Sequence, residues 1–349
     1  MMQQATDLPA LLQSETNYQD FFFAGLERLL EPETLNLFIL VCANASFDPA
    51  LFLKLKNKLK NTFDKHTRAL SSALIHGDVV NATDDDMLVF LKMAHIGFDA
   101  LQLTQWRQAD CWEIQFNHLR SFRPGRNAVA TISQNQAPFI ENGFSFNLPF
   151  FEQEKIWNGL LCGRSMSLYY NKFPFVENHT LLVPEREQCH PQWLDESMFM
   201  YVWELAAIMG EGMPGMRIGY NAMGAYASVN HLHFQMSVRQ SAYPIEQSGW
   251  HHNGGNQAYP SACYVFDEAD AAWIFLAALH AKNHTYNLLF SPGKIYCLPR
   301  QFQGAVELPG WSPGFSWYEM CGGFVTSQHP AFESLSDVSI KRAMSRFML

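Results

Sequence analysis

At 349 residues, with 48% hydrophobic and 16% charged side chains and 28 Phe and 9 Trp, the chain is long enough to bury a substantial core and too apolar to be disordered. Its 24 Lys and Arg stand against 33 Asp and Glu, a formal charge of −9, so its overall field repels polyanions and argues against nucleic acid as a partner. Seven cysteines, Cys42, Cys111, Cys162, Cys189, Cys263, Cys297 and Cys321, form no CxxC pair, which fits reduced thiols in a cytosol and offers no recognisable zinc knuckle.

The opening stretch MMQQATDLPALLQSETNYQD has neither a basic start nor an unbroken apolar run. No later segment approaches the roughly 18 apolar residues that a membrane span requires. A cytoplasmic protein without membrane contact is expected. Residues 20 to 105 carry apolar side chains at three- and four-residue spacing and read as helical. Asp84 to Asp86 stand where a helix cap before Met87 is expected. The row Lys54, Lys56, Lys58 and Lys60 invites a phosphate-binding reading, but a solvated helix face is the better account.

From residue 111 the texture changes to short alternating segments. CWEIQFNHLRSF alternates Trp112, Ile114 and Phe116 with polar neighbours, and SLYYNKFPF with HTLLVPE reads as two strands around a Phe-Pro turn. SMFMYVWELAAIMGEG is a helix with Met198, Val202, Leu205, Ala206 and Met209 on one face, ending at Gly210 or Gly212. Two strands around a Gly-bearing turn follow in MRIGYNAMGAYASVNHLHFQMSV, then a helix near DEADAAWIFLAALHAKNH and the strands TYNLLFSP and KIYCLPR. Helices followed by a mostly antiparallel sheet with intervening helices predict an α+β fold. The division expected is a helical region over 1–105, packed on the core, and a sheet-bearing domain over 106–349.

Within VNHLHFQMSV, residues 229 to 238, the polar side chains His231, His233 and Gln235 fall at every second position. Read as a strand, the segment turns them to one surface and Leu232, Phe234 and Met236 to the other. Three accounts are open at this point. Two histidines can share a polar sheet face by chance. They can be a metal pair, although no carboxylate follows among Met236, Ser237, Val238 and Arg239. Or a neutral imidazole can act as a nucleophile on phosphorus, with the Gln235 amide as a donor beside it.

The context GYNAMGAYASVNHLHFQ resembles the signature of the histidine triad superfamily in its transferase branch, where His-x-His-x-Gln follows an Asn, a Gly-rich turn and a small hydroxyl residue. It looks closest to the GDP-hexose phosphorylases, similar in turn to galactose-1-phosphate uridylyltransferases and diadenosine tetraphosphate phosphorylases. LYYNKFPFVENHTLLVPE (168–185) and WEIQFNHLRSF (112–122) resemble further superfamily segments in order and type, and the likeness extends weakly to GKIYCLPR and YEMCGGF. It covers residues 112–323 in patches.

The resemblance implies a HIT-like antiparallel sheet and a two-step nucleotidyl transfer from a nucleotide sugar to inorganic phosphate. It implies His233 as the nucleophile, Gln235 as donor to the reacting phosphate, His231 as support and His179 beside the same phosphate. Asn221 and Ser228 match positions that contact the substrate's phosphates. Asn171, Asn117 and Arg120 match less sharply, with a structural role equally open. Arg123, Arg126, Lys294 and Arg300 are further candidate cations. The region RNAVATISQNQAPFIENG lacks the early CxxC of the zinc-bearing uridylyltransferases, so neither metal nor other cofactor is expected. A spacing of ten from Asn221 to His231 matches the GDP-hexose phosphorylases and tilts the choice toward phosphorolysis. Gln235, where hydrolases of the superfamily carry a third histidine, points to transfer. The alternatives are a dinucleoside polyphosphate phosphorylase or hydrolase and a nucleotide-binding protein without turnover. Superfamily relatives suggest a homodimer.

Overall fold

The computed structural model of the chain describes residues 8–80, 82–123, 132–141 and 143–349. Helices α1 (Glu15–Arg28), α2 (Leu35–Ala45), α3 (Pro49–His76) and α4 (Asp84–Ile96) come first. Their ends follow capping chemistry: Asp48 accepts the Leu51 N–H at 2.8 Å ahead of Pro49, and Gly77 closes α3 at φ 72°, a left-handed conformation in which a Cβ is disfavoured. The cap of α4 is Thr83, whose hydroxyl accepts the Asp86 N–H at 3.2 Å. Asp84, Asp85 and Asp86 occupy the first turn instead, where carboxylates favour the helix dipole. The lysine row belongs to the solvated surface: Lys54 and Lys58 pair with Glu27 at 3.0 and 2.7 Å, and Lys60 pairs with Asp99.

A small sheet contains β1 (Gln105–Ala109), β2 (Trp112–Phe116) and β11 (Gly323–Thr326), in the order β1-β2-β11. The large sheet comprises β3 (Lys155–Leu161), β4 (Arg164–Tyr170), β5 (Thr180–Pro184), β6 (Met216–Asn221), β7 (Phe234–Val238), β8 (Tyr264–Phe266), β9 (Thr285–Ser291) and β10 (Lys294–Arg300). Its order is β3-β4-β5-β7-β6-β9-β10-β8, antiparallel at every pairing. Between strands lie α5 (His118–Ser121), α6 (Glu196–Gly212), α7 (Ala269–Ala281) and α8 (Trp317–Met320), with α9 (His329–Ser334) and α10 (Asp337–Ser345) closing the chain.

The large sheet separates two cores. On one face Leu168, Leu182, Phe234, Met236, Ile218, Leu288 and Phe290 pack with α1–α4, α6 and α7 in a single cluster. The N-terminal helices therefore share their core with the sheet. On the other face Leu289 and Leu298 pack with Trp112, Ile114 and Phe116 of the small sheet and with Phe175, Trp317 and Tyr318. The register Leu181↔Gln235↔Gly219↔Leu289 puts Gln235 on this second face, in the middle of the sheet.

Candidate active site

The strand β7 starts at Phe234, so His231 and His233 lie in the segment entering it and only Gln235 is within it. The expected strand over 229–238 is thus shorter, because the entry segment is engaged elsewhere: Leu232 N–H donates to the His190 carbonyl at 2.8 Å, away from any neighbouring strand. The division of sides survives the change. Leu232, Phe234 and Met236 all join the helix-side core.

Gln192, 1% exposed, fastens this entry segment. Its side-chain oxygen accepts the His233 N–H at 2.9 Å, and its amide nitrogen donates to the carbonyls of His233 at 3.1 Å and Asn221 at 2.9 Å. The two ends of the β6–β7 connection are thereby tied to one side chain. The ring of His233 is fixed as well: Nδ1 lies 2.8 Å from the His231 carbonyl, and a carbonyl can only accept, so Nδ1 carries the proton and Nε2 bears the lone pair. Burial pushes the His233 pKa down to about 4, against a smaller upward pull from that carbonyl. The imidazole is neutral at neutral pH, with its lone pair on Nε2.

His231 is walled by Phe139 and Phe146, at ring distances of 5.3 and 5.4 Å, and its Nδ1 accepts the Phe146 N–H at 3.2 Å. Burial, and next the neighbouring His233, lowers its pKa to about 4. Phe146 also packs against the His233 ring at 5.3 Å.

Gln235 is oriented by Trp317, whose indole N–H donates to the amide oxygen at 2.9 Å. The amide nitrogen is left as the donor end. Trp317 can lie there because position 219 is glycine: a Cβ on Gly219 would come within 2.4 Å of the indole. His179, fully buried, directly precedes β5 and stands beside Gln235 of the adjacent strand β7, on the same face of the sheet. Its Nδ1 accepts the Phe175 N–H at 3.4 Å, and Asn171 Nδ2 lies 3.2 Å from its Nε2; a neutral imidazole accepts at only one of its two nitrogens. Burial first, and then the Arg120 charge, pushes its pKa down to about 3.

Asn221 accepts from Asn287 Nδ2 and from the Trp317 N–H, each at 2.7 Å, so its own amide nitrogen is turned away from this network as a donor. Asn287 is in turn held by Arg300, whose guanidinium donates to its side-chain oxygen at 3.1 Å and to the Phe315 carbonyl. Arg300 is fully buried between the rings of Tyr226 and Phe347, and burial lowers its pKa to about 10. Arg120 donates to the Phe173 carbonyl and lies over the Phe175 ring at 4.8 Å. Its charge acts on His179.

Other sequence candidates fall elsewhere. Asn117 caps α5 by accepting the Arg120 N–H at 3.0 Å and donates to the Pro174 carbonyl and to Gln115, which commits its polar atoms to scaffold. Asn171 accepts the Phe173 N–H at 3.1 Å and faces His179, so it serves the loop and the ring. Ser228 is exposed in the turn before the entry segment, Arg123 lies over the Phe173 ring at 5.8 Å, and Lys294 is on β10. Arg126 lies outside the described residues. Among the described residues no group of three His, Cys, Asp or Glu side chains is placed to hold a metal ion, and no helix is long and apolar enough to cross a membrane. Gln192, Trp317, Asn287 and Gly219 were not predicted as site residues. Gly219 opens the GYNAMGAYASVNHLHFQ signature and Trp317 adjoins the YEMCGGF patch.

An α+β fold with His-x-His-x-Gln entering the central strand of an antiparallel sheet is HIT-like, and the structure is similar to that of yeast Ap4A phosphorylase Apa2 in complex with Ap4A. That likeness has a TM-score of 0.50 and 15% identity, covering 77% of this chain and 99% of the other. Residues 153–237 match the family model "GDPGP1-like, N-terminal domain". The chain is 37% identical over 204 residues to GDP-L-galactose phosphorylase 2 of Arabidopsis thaliana, covering 51% of this chain and 47% of that protein. It is 38% identical over 85 residues to GDP-D-glucose phosphorylase 1 of Danio rerio, 24% of each. The likeness to the GDP-hexose phosphorylases of the histidine triad superfamily therefore contains the whole His231–Gln235 segment, while the chain spans about half the length, or less, of the curated relatives it matches.

Proposed function

We propose that the chain is a nucleotidyltransferase that cleaves a nucleoside diphosphate hexose, with GDP-hexose favoured, by means of inorganic phosphate and through a nucleotide carried on His233. The observation that carries this reading is the fixed tautomer of His233: Nδ1–H on the His231 carbonyl at 2.8 Å, which leaves the lone pair on Nε2. The names of the relatives, phosphorylases of GDP-L-galactose and GDP-D-glucose, support guanine as the base and phosphate as the acceptor.

In the first step the Nε2 lone pair attacks the α-phosphorus, the bond to the hexose 1-phosphate oxygen breaks, and that oxygen leaves with the bonding pair. The ring gains positive charge as the P–N bond forms, and its proton stays on Nδ1 against the His231 carbonyl, which favours that charge. In the second step a phosphate oxygen attacks the same phosphorus, the P–N pair returns to Nε2, and nucleoside diphosphate departs. Such chemistry depends on positioning and on stabilising oxygen charge. The amide nitrogens of Gln235 and Asn221 supply neutral donors, and Arg120 supplies a cation close to His179.

The test is a panel of nucleotide sugars and dinucleoside polyphosphates, each incubated with and without phosphate, with the nucleotide product identified: nucleoside diphosphate where phosphate is the acceptor, nucleoside monophosphate where water is. Phosphate-dependent release of GDP from GDP-hexoses above all others is expected. Equal turnover without phosphate would make the protein a hydrolase, and preference for dinucleoside polyphosphates would move the substrate class.

A further inference from the structure

The loop between β4 and β5, residues 171–179, begins at Asn171 and ends at His179, and it is held from two sides. On the inner side the β2–α5 segment reaches it through Gln115 to the Phe175 carbonyl at 3.0 Å, Asn117 to the Pro174 carbonyl at 3.0 Å, and Arg120 to Phe173. On the outer side the helices α1, α2 and α4 reach it. Tyr18 of α1, 1% exposed, donates to the Asn178 carbonyl at 3.0 Å and is hydrogen-bonded to the Thr180 hydroxyl. Asn44 of α2 donates to the Asn171 carbonyl at 2.9 Å. Asp86 of α4 pairs with Lys172 at 2.5 Å.

These contacts land on the two ends of the loop: residues 171 and 172 at one end, 178 and 180 at the other. Between them the side of the loop that faces the helices is not seated by close packing. A cavity of about 100 Å³ separates Phe22, Phe23 and Phe47 from Pro174, Val176 and Asn178. Where close packing is missing, hydrogen bonds to the backbone fix the geometry. A further tie, Tyr170 hydroxyl to the Phe22 carbonyl at 2.8 Å, fits because residue 25 is glycine: a Cβ there would meet the Tyr170 hydroxyl at 2.0 Å.

We infer that Tyr18 and Asn44 are positioning residues of the active site: from two helices of the N-terminal region they hold the ends of loop 171–179 and so set His179 beside Gln235. The inference rests on the nucleotidyl-transfer reading for its kinetic consequence but on geometry alone for its structural one. Side chains that lock a reacting group's neighbours matter through small displacements, and a shift of about 1 Å can cost on the order of 100-fold in rate.

The experiment combines two readouts on the full chain. Tyr18→Phe keeps the ring and removes both of its hydrogen bonds, and Asn44→Ala removes the other tie; either suffices if the other variant fails to fold. Each is expected to lower the rate of His233 nucleotidylation from a GDP-hexose by about 10-fold with KM changed less than about 2-fold. In a His179→Ala background neither is expected to have a further effect. In ¹⁵N-histidine spectra the His179 ring signals should shift while those of His233 stay in place. If a well-folded Tyr18→Phe or Asn44→Ala leaves the His179 signals and the rate unchanged, or slows the His179→Ala protein by the same factor, the inference fails. Absence of any cleavage of GDP-hexoses by the wild type overturns the functional reading instead, and the His179 signals then decide the positioning by themselves.

Discussion

Along β6 and β7 the residues turned to the helices are Ile218, Tyr220, Phe234 and Met236, and those turned the other way are Gly219, Asn221, Gln235 and Ser237. Both sets are buried, yet they are held differently. The first set contributes area and shape, and the side chains lie in one continuous apolar cluster with four N-terminal helices. The second contributes directed contacts: Gln235 to Trp317, Asn221 to Asn287 and Trp317, Ser237 to the Tyr243 hydroxyl at 2.6 Å. One face of the sheet is built to fold and the other to aim donors, and perturbations should separate the two.

The largest separation is at His233. His233→Asn is expected to lower nucleotidyl transfer by a factor on the order of 10⁴ or more, as removal of a nucleophile does, with a thermal transition close to that of the wild type. Turnover surviving in that variant would remove His233 from the chemistry.

Acid is the next test, since three buried rings lie on the polar face, while on the helix side His280 beside Tyr286 is likewise lowered to about 4 by burial and His66 is lowered by burial. His179, His231 and His233 have pKa values lowered by burial to about 3, 4 and 4, whereas in the unfolded chain histidine titrates near 6.5. Between those values the unfolded state binds more protons, so stability falls as pH falls from about 6.5 toward 4 and is level above. The slope is at most about 1.4 kcal/mol per pH unit for each histidine. Urea midpoints at pH 7, 6 and 5 check this, and equal midpoints would mean that the rings are already charged or reach water.

On the apolar face Phe234→Ala is expected to cost about 3–5 kcal/mol in denaturant unfolding, while the fraction that remains folded keeps the wild-type response to phosphate. A smaller effect belongs to the other face. Trp317→Phe keeps the ring against Gly219 but deletes the N–H to Gln235, and a lost hydrogen bond of about 1–1.5 kcal/mol predicts roughly a 10-fold drop in kcat with little change in melting. If melting moves and kcat does not, Trp317 is packing alone.

The two faces also differ in how far they could be read in the sequence. Leu232, Phe234 and Met236 announce the apolar side by period alone, and the helices announce themselves by their three- and four-residue spacing. The segment His231 to Gln235 was legible as a pattern, but its secondary structure was not, because the backbone of Leu232 is bonded to His190 and that of His233 to Gln192, contacts about 40 residues distant that leave no local trace. Asn117 and Asn171 have the residue type of phosphate ligands, and only the coordinates reveal that their polar atoms hold Pro174, Phe173 and His179. The role of α1 and α2 beside the His179 loop was equally invisible, since the Tyr18–Asn178 and Asn44–Asn171 contacts join positions far apart in the chain.

The central claim is that His233 carries the nucleotide. It is tested most directly by incubating the protein with a GDP-hexose labelled in the α-phosphate, without inorganic phosphate, and locating the label by peptide mass spectrometry. The account predicts an acid-labile, base-stable phosphoramidate on His233 that is discharged as nucleoside diphosphate when phosphate is added. Product formed without any such adduct, or an adduct on another residue, would contradict it.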